Sequence, residues 1–345
     1  MLELDNAALE RLIVQATGHP PESVSPMRGG ASTRRYLRVS AGGRSWIAMF
    51  VPDATPEEAG AATSASARWP FLEVHALLER AGVHVPQLAG EACEAGLCLL
   101  EDLGDETLGR FLEREPDRRR EVYEIAVRDL ARAQRELAPV LENTVIAGRA
   151  FDEPLLRWEL DHFREWALDA RGKALDPARR ASFDAIADRL ASEIASWPRG
   201  FVHRDYQSSN LMVRRPSPEG AAPLELVWLD FQDALLGPRV YDLVALLNDS
   251  YVDLPRHFVE ACIDSYADAA GIARGDRPAL VREFDLMTVQ RKLKDAGRFV
   301  FIDRVKHNPS FLRFVEPSLT KVRTSLTRLG DEPDMVLLTS LIADA

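Results

Sequence analysis

The spacing of apolar residues divides the chain into a strand-rich first part and a helix-rich second part. Apolar residues at helical spacing predict an opening helix over residues 5–18. Short β-rich runs at 36–39 and 45–51 predict a hairpin, and a predicted helix over 68–82 is followed by strands near 87–89 and 97–101. This order of elements predicts a small antiparallel α+β lobe.

Beyond residue 103 the pattern is mainly helical. Amphipathic runs predict helices over residues 106–114, 118–138, 153–170, 177–197, 238–250, 256–270, 279–305 and 309–328. Two short apolar runs at 211–213 and 224–230 interrupt them and predict a hairpin. We therefore predict an N-terminal lobe over residues 1–102 and a helical C-terminal lobe over 103–345.

Composition narrows the classes of function. The chain has 345 residues and a formal net charge of -11, which argues against a surface that holds a nucleic-acid backbone. Its three cysteines lack the spacing of a zinc site or a disulfide framework, so we interpret them as reduced core thiols. We find no leader-like or membrane-spanning apolar run, and we predict a cytoplasmic protein without a membrane partner or an obligate protein partner.

The strongest chemical signal is the segment HRDYQSSNL, which begins at His203. Its spacing matches the catalytic loop of kinases, H-R-D-x-x-x-x-N. Phosphoryl transfer needs a carboxylate that orients the attacking hydroxyl and accepts its proton, and an oxygen ligand that helps to hold magnesium. Asp205 and Asn210 supply these groups, with His203 and Arg204 as support. A plain polar loop would explain any one of these residues, but not this spacing directly before a strand.

A second carboxylate, Asp230, ends the apolar run LVWL. Aspartate at a strand end is often only a turn former. Here the predicted hairpin brings Asn210 and Asp230 to the same edge, where they would be metal ligands. Ligands that are all oxygen favour magnesium over zinc or iron.

The segments FVHRDYQSSNLMV at 201–213 and VWLDFQDALLGPRVYDLVALL at 227–247 resemble the aminoglycoside phosphotransferase and choline kinase superfamily, which is related to protein kinases. With GGASTRRYLRV at 29–39, they are most similar to the anomeric kinases of N-acetylmuramate and N-acetylglucosamine. Gln207 and Ser209 differ from the histidine and arginine common in that group. The resemblance implies a bilobal protein-kinase-like fold, use of ATP and Mg²⁺, and a role in cell-wall sugar recycling. It also implies that Asp242 braces the catalytic loop through His203 or Arg204, with helix N-capping as the alternative.

Two segments of the first lobe are expected to bind ATP. In the turn at 29–33, the backbone and hydroxyl groups of Gly30, Ser32 and Thr33 could cover the phosphates. Two glycines more often serve only a hairpin turn, and it is the catalytic loop downstream that favours the phosphate site. The resemblance places the hinge at 99–104, where adenine would bond the backbone of Glu101 and Leu103.

The cation that grips the phosphates cannot be the usual strand lysine, because the first lysine in the chain is Lys173. The candidates that remain are Arg34, Arg35, Arg38 and Arg44, each of which could instead lie on a solvated strand face. We assign Arg34 to the ATP site. A guanidinium fork can hold phosphate, although it is not equivalent to an ammonium.

The acceptor is expected to contact the second lobe. Glu159 and His162 share one predicted helix face and could bind sugar hydroxyls beside Asp205, although solvated helix residues have the same pattern. We predict transfer of the γ-phosphoryl group to a sugar hydroxyl, at C1 by resemblance. Choline, homoserine and aminoglycosides are alternative acceptors. A catalytically inactive nucleotide-binding regulator is the alternative from another class.

Overall fold

The computed structural model describes residues 3–27, 33–52, 69–215 and 223–343. The chain forms two compact units. The first contains Met1–Pro116 and Ser209–Asp233, and the second contains Asp117–Ser208 and Ala234–Ala345. The division into lobes near Asp102 stays a prediction. The compact units divide elsewhere, and the segment Ser209–Asp233, which begins inside the predicted catalytic loop, belongs to the first unit.

Helices account for most of the second unit. The α-helices of the described residues, in chain order, are α1 Asn6–Thr17, α2 Pro70–Arg80, α3 Leu108–Arg114, α4 Arg119–Leu137, α5 Glu153–Phe163, α6 Pro177–Ser196, α7 Tyr241–Leu247, α8 Arg256–Ala269, α9 Arg277–Lys306, α10 Val315–Arg328 and α11 Pro333–Leu341. The predicted α+β fold class, with a strand-rich first part and a mainly helical second part, is confirmed.

The strands lie mainly in the first unit. In chain order they are β1 Ser23–Pro26, β2 Arg35–Ala41, β3 Arg44–Phe50, β4 Leu88–Ala92, β5 Leu97–Glu101, β6 Arg199–Val202, β7 Leu211–Arg214, β8 Glu225–Trp228 and β9 Leu235–Pro238. One antiparallel sheet has the order β1-β2-β3-β5-β4, while β7 pairs with β8 and β6 pairs with β9.

The five-stranded sheet buries one face against α1. Its strands alternate between inward and outward side chains, so every second residue of β2 and β5 reaches this core. The β2–β3 hairpin turns at Gly42 and Gly43, whose φ values of 60° and 69° suit glycine best. The core residues are Ala8, Leu9, Leu12, Ile13, Val39, Ala41, Ala48, Phe50, Leu97 and Leu99.

The second unit is built around α9, a helix of 30 residues. Helices α5, α7 and α10 pack against it, and its middle is buried on nearly every side. Such a helix is expected to be apolar all round, because buried polar groups need partners. The middle of α9 nevertheless contains Gln290, Arg291, Lys292 and Asp295, all of which are buried.

None of the helices in the described ranges combines the length and the apolar character that a membrane-spanning segment needs.

Close packing between α5 and α9 depends on Gly297. A Cβ atom at this position would come within 2.8 Å of the carbonyl oxygen of His162 and of the Cα of Phe163. Both atoms belong to the backbone, so α5 would have to shift. We expect Gly297→Ala to lower the free energy of unfolding by about 1–3 kcal/mol, despite the better helix propensity of alanine.

Urea denaturation measures this change, and Gly275→Ala is the matched control. A Cβ at Gly275 meets no atom within 4 Å. The control is therefore expected to stay within about 0.5 kcal/mol of the parent. Equal stability of the two variants would contradict the packing argument.

Candidate active site

The β7–β8 hairpin carries the two predicted metal ligands at one end. Leu211 pairs with Trp228 in this hairpin. Asn210 lies directly before β7, and its carbonyl oxygen accepts a hydrogen bond of 2.9 Å from the N–H of Leu229. Asp230 is the next residue along the chain. The hairpin thus brings Asn210 and Asp230 together in the first unit.

Asp230 is held in an uncommon backbone conformation, with φ of 60°. Aspartate tolerates this left-handed region better than most residues, but a cost of about 1 kcal/mol or more is still expected. The side-chain amide of Gln232 donates to Asp230 Oδ1 at 2.8 Å and to Asp233 Oδ2 at 3.0 Å. The carboxylate is therefore oriented by its neighbours before any ligand binds.

The donor set at the hairpin end fits magnesium. Mg²⁺ is usually held by one or two protein carboxylates together with waters and substrate phosphates, not by a complete protein cage. Asp230 offers a carboxylate and Asn210 an amide oxygen. Within the described ranges, no cluster of three or more histidine, cysteine, aspartate or glutamate side chains could enclose a metal.

Of the four arginines considered for the phosphate site, Arg34 is the one that lies beside Asp230 in the described residues. Its Nη1 lies 3.4 Å from Asp230 Oδ1. The other three have different partners among the described residues. Arg38 Nε lies 2.8 Å from Asp102 Oδ2, while Arg35 and Arg44 lie over aromatic rings of β3.

The predicted hinge residues line a cleft in the first unit. Glu101 and Leu103 surround a volume of about 240 Å³ together with Asp102 and residues 212–215. Gly30 and Ser32, from the predicted phosphate-covering turn, lie outside the described residues. Thr33 is the first described residue after that gap, next to Arg34.

In the second unit, the carboxylate of Asp242 holds the backbone of the catalytic loop. Its Oδ2 accepts a bond of 2.6 Å from the N–H of His203, and its Oδ1 accepts one of 3.0 Å from the N–H of Arg204. Asp242 is fully buried in the first turn of α7. Its side chain thus contacts the loop in the way the resemblance implies. Arg204 has φ of 80°, a strained conformation for arginine, which the two bonds help to maintain.

The base candidate, Asp205, lies half-buried directly after this braced position. Its own N–H donates to Nδ1 of His203 at 3.3 Å, and its carbonyl oxygen accepts from the N–H of Gln207 at 2.9 Å. Two further anchors hold the loop. Tyr206 donates its hydroxyl to the carbonyl oxygen of Ala126 at 2.9 Å, a contact to α4.

The other anchor, Asp249, was not among the predicted site residues. Its Oδ2 accepts bonds from the N–H and the hydroxyl of Ser208, at 3.1 and 2.6 Å. Arg291 on α9 was also missed, and its Nη1 donates to the carbonyl oxygen of Arg204 at 3.2 Å. The available signal was the polar run RKLKD inside an otherwise core-forming helix.

Glu159 and His162, the predicted acceptor residues, are buried, with 3% and 6% of their surfaces exposed. The alternative of a solvated helix face is therefore wrong. Glu159 accepts a bond of 2.8 Å from the side-chain amide of Gln290. Burial, followed by the charges of Arg298 and Lys294, lowers the pKa of His162 to about 4, so this imidazole is neutral at pH 7.

Burial raises the pKa of Asp242 to about 7, although the N–H groups of His203 and Arg204 oppose the shift. The pKa of an aspartate in the unfolded chain is about 3.9. The carboxyl therefore binds a proton more tightly in the folded state. Its contribution to stability is complete below about pH 4 and is lost as the pH rises through about 7.

We expect this loss to be absent in Asp242→Asn, which cannot titrate. The free energy of unfolding of the parent, minus that of the variant, should fall by about 2–3 kcal/mol between pH 5 and pH 7.5. Urea denaturation at both pH values measures it. A difference that does not change with pH would contradict the raised pKa of Asp242.

Two kinases of known function are similar to this chain over most of its length. The N-acetylmuramate/N-acetylglucosamine kinase of Pseudomonas aeruginosa is 35% identical, over 95% of this chain and 93% of that protein. The protein of the same name from Neisseria meningitidis is 31% identical, over 91% of this chain and 89% of its own length.

Solved structures with a similar fold include the GDP complex of the aminoglycoside 2'-phosphotransferase-IIIa F108L mutant. Its TM-score is 0.60 at 14% identity, covering 94% of this chain and 98% of that one. Plasmodium vivax ethanolamine kinase gives a TM-score of 0.57 at 13% identity, covering 88% and 82%. At such low identity these likenesses show the fold alone.

The model of the phosphotransferase enzyme family matches residues 23–280, which is most of the sequence. The chain therefore belongs to the phosphotransferase enzyme family.

Proposed function

We propose that this protein is an ATP-dependent kinase that phosphorylates an N-acetylated amino sugar, N-acetylmuramate or N-acetylglucosamine, at its C1 hydroxyl. The observation that carries the proposal is the braced loop. Asp242 fixes the backbone directly before Asp205, and Asn210 follows five residues later. The names of the relatives support the acceptor class, and the segments quoted above support C1.

Asp205 is proposed as the general base. It accepts the proton of the acceptor hydroxyl while that oxygen forms a bond to the γ-phosphorus of ATP. The bond between the γ-phosphorus and the β,γ-bridging oxygen breaks, and ADP leaves with the electron pair. Positioning supplies much of the rate in such reactions, which explains why the loop is fixed by buried hydrogen bonds.

Asn210 and Asp230 are proposed to hold Mg²⁺, which when bound neutralises charge on the phosphates. Arg34 is proposed as the phosphate cation in place of the missing lysine. The support is its position at Asp230, where a guanidinium can also approach phosphates that share the metal. Glu101 and Leu103 are proposed to bind adenine through their backbone, in the cleft that they line.

Asp205→Asn tests the assigned base. An amide cannot take the hydroxyl proton, so we expect kcat to fall on the order of 10²-fold or more while ATP binding stays nearly unchanged. Steady-state rates and nucleotide titration measure the two quantities. Asp331→Asn, which alters an exposed aspartate, is the control. Full turnover by the Asp205 variant would remove Asp205 from this role.

The C1 assignment is tested with N-acetylglucosamine and its 1-O-methyl glycoside. Methylation removes only the anomeric hydroxyl, so we expect phosphorylation of the free sugar and none of the glycoside. ADP release and the mass of the product report the outcome. Phosphorylation of the glycoside at a comparable rate would exclude C1, and turnover of neither compound nor of N-acetylmuramate would exclude the proposed acceptor class.

A further inference from the structure

The buried centre of α9 carries three cations and one carboxylate. The ammonium groups of Lys292 and Lys294 lie 2.8 and 3.0 Å from the two oxygens of Asp295 and so share its charge. Arg291, which is 1% exposed, forms no ion pair with a carboxylate in the described part of the chain. Its Nη1 donates to the carbonyl oxygen of Arg204 instead. The charge of Arg291 therefore lacks a direct counterion.

Several donors around Arg291 are also unsatisfied. Within the described ranges, Nε and Nη2 of Arg291 and the hydroxyl of Tyr241 are buried without a hydrogen-bond partner. The guanidinium carbon lies 4.4 Å from the centroid of the Tyr241 ring. A buried donor without a partner costs about 1–3 kcal/mol, and more when it is charged. A buried group of this kind needs an explanation, such as a catalytic role, a bound ion or an ordered water.

These groups lie beside the proposed base. Arg291 donates to the residue that immediately precedes Asp205. Burial alone would lower the pKa of Arg291, but interactions with Tyr241, Asp295 and Asp205 raise it. An acceptor hydroxyl that gives its proton to Asp205 must approach the same carboxylate. Substituents of that sugar then come close to this part of α9.

Lys294 lies between the buried charges of α9 and the protein surface. Its side chain is 18% exposed, and Arg298, one helical turn later, is exposed. Both charges lower the pKa of His162 on α5, whose ring centroid lies 5.4 Å from that of Phe301 on α9. The rings of Trp166 and Phe301 meet edge to face there, with centroids 5.1 Å apart. Cations beside aromatic surface suit a sugar that bears a negative charge.

We infer that the part of α9 around Lys294 is a subsite for a carboxylate group of the acceptor sugar. The carboxylate binds Lys294, and the more deeply buried Arg291 adds its positive charge. The inference rests on the proposed function and adds to it a preference for acidic over neutral amino sugars. N-acetylmuramate carries a carboxylate on its lactyl ether, whereas N-acetylglucosamine has a neutral hydroxyl at that position. The enzyme therefore favours N-acetylmuramate over N-acetylglucosamine, and Lys294 is a source of the preference.

The test is the ratio of kcat/KM for N-acetylmuramate to that for N-acetylglucosamine. It is measured in the parent, Lys294→Gln, Lys294→Arg and the control Lys306→Gln, which alters an exposed lysine at the end of the same helix. We expect the ratio to exceed one in the parent and to fall about 10-fold in Lys294→Gln, as for a lost charged hydrogen bond. Lys294→Arg should recover most of the preference, and Lys306→Gln should keep all of it.

Two results would overturn the inference while the proposed function stands. One is a parent ratio at or below one, and the other is an equal loss on both sugars in Lys294→Gln, which would indicate a purely structural lysine. Failure of the parent to phosphorylate either sugar is a different outcome. It would contradict the proposed function and, with it, the subsite. Circular dichroism of each variant verifies that the compared proteins are folded.

Discussion

The buried carboxylate of Asp242 is the interaction on which the catalytic loop depends. One side chain satisfies two consecutive backbone N–H groups, those of His203 and Arg204, at 2.6 and 3.0 Å. Without this carboxylate, the two N–H groups would lack a hydrogen-bond acceptor in the interior unless the loop moved. The strained backbone of Arg204, with φ of 80°, would also lose contacts that stabilise it. The position of Asp205, the next residue, follows from this constraint. The anchors of Tyr206 and Ser208 extend it along the loop.

In the first unit, hydrogen bonds of the β7–β8 hairpin likewise fix the position of the proposed metal ligands. Strand pairing fixes where Asn210 and Asp230 lie, and the amide of Gln232 fixes how the Asp230 carboxylate points. Asp230 and Arg204 are two of the three non-glycine residues with positive φ in the described ranges. Strained backbone thus concentrates at the residues with proposed chemical roles, where surrounding contacts can hold it. Preorganised groups of this kind are what phosphoryl transfer requires.

The sequence predicted the elements whose pattern is local. The hairpin of β2 and β3, the hairpin of β7 and β8, and α1 all follow from periodicity and turn residues. Three features were missed. Strand β1 has only four residues, all of them exposed. Strand β6 pairs with β9 across more than 30 residues, which no local pattern reveals. Buried polar residues were the third, because Arg291 and Asp249 look like surface residues in a sequence. Only the packing of α9 and of the segment that follows α7 shows that they are buried.

The central claim, that the Asp242 carboxylate holds the loop for Asp205, is tested most directly by hydrogen exchange of the backbone amides of His203 and Arg204. In the parent both N–H groups are hydrogen-bonded in the interior, so they should exchange slowly. In Asp242→Asn one acceptor is lost, and we expect at least one of the two amides to exchange about 10-fold faster or more, together with a fall in kcat. Unchanged protection of both amides and unchanged turnover in the variant would contradict the account.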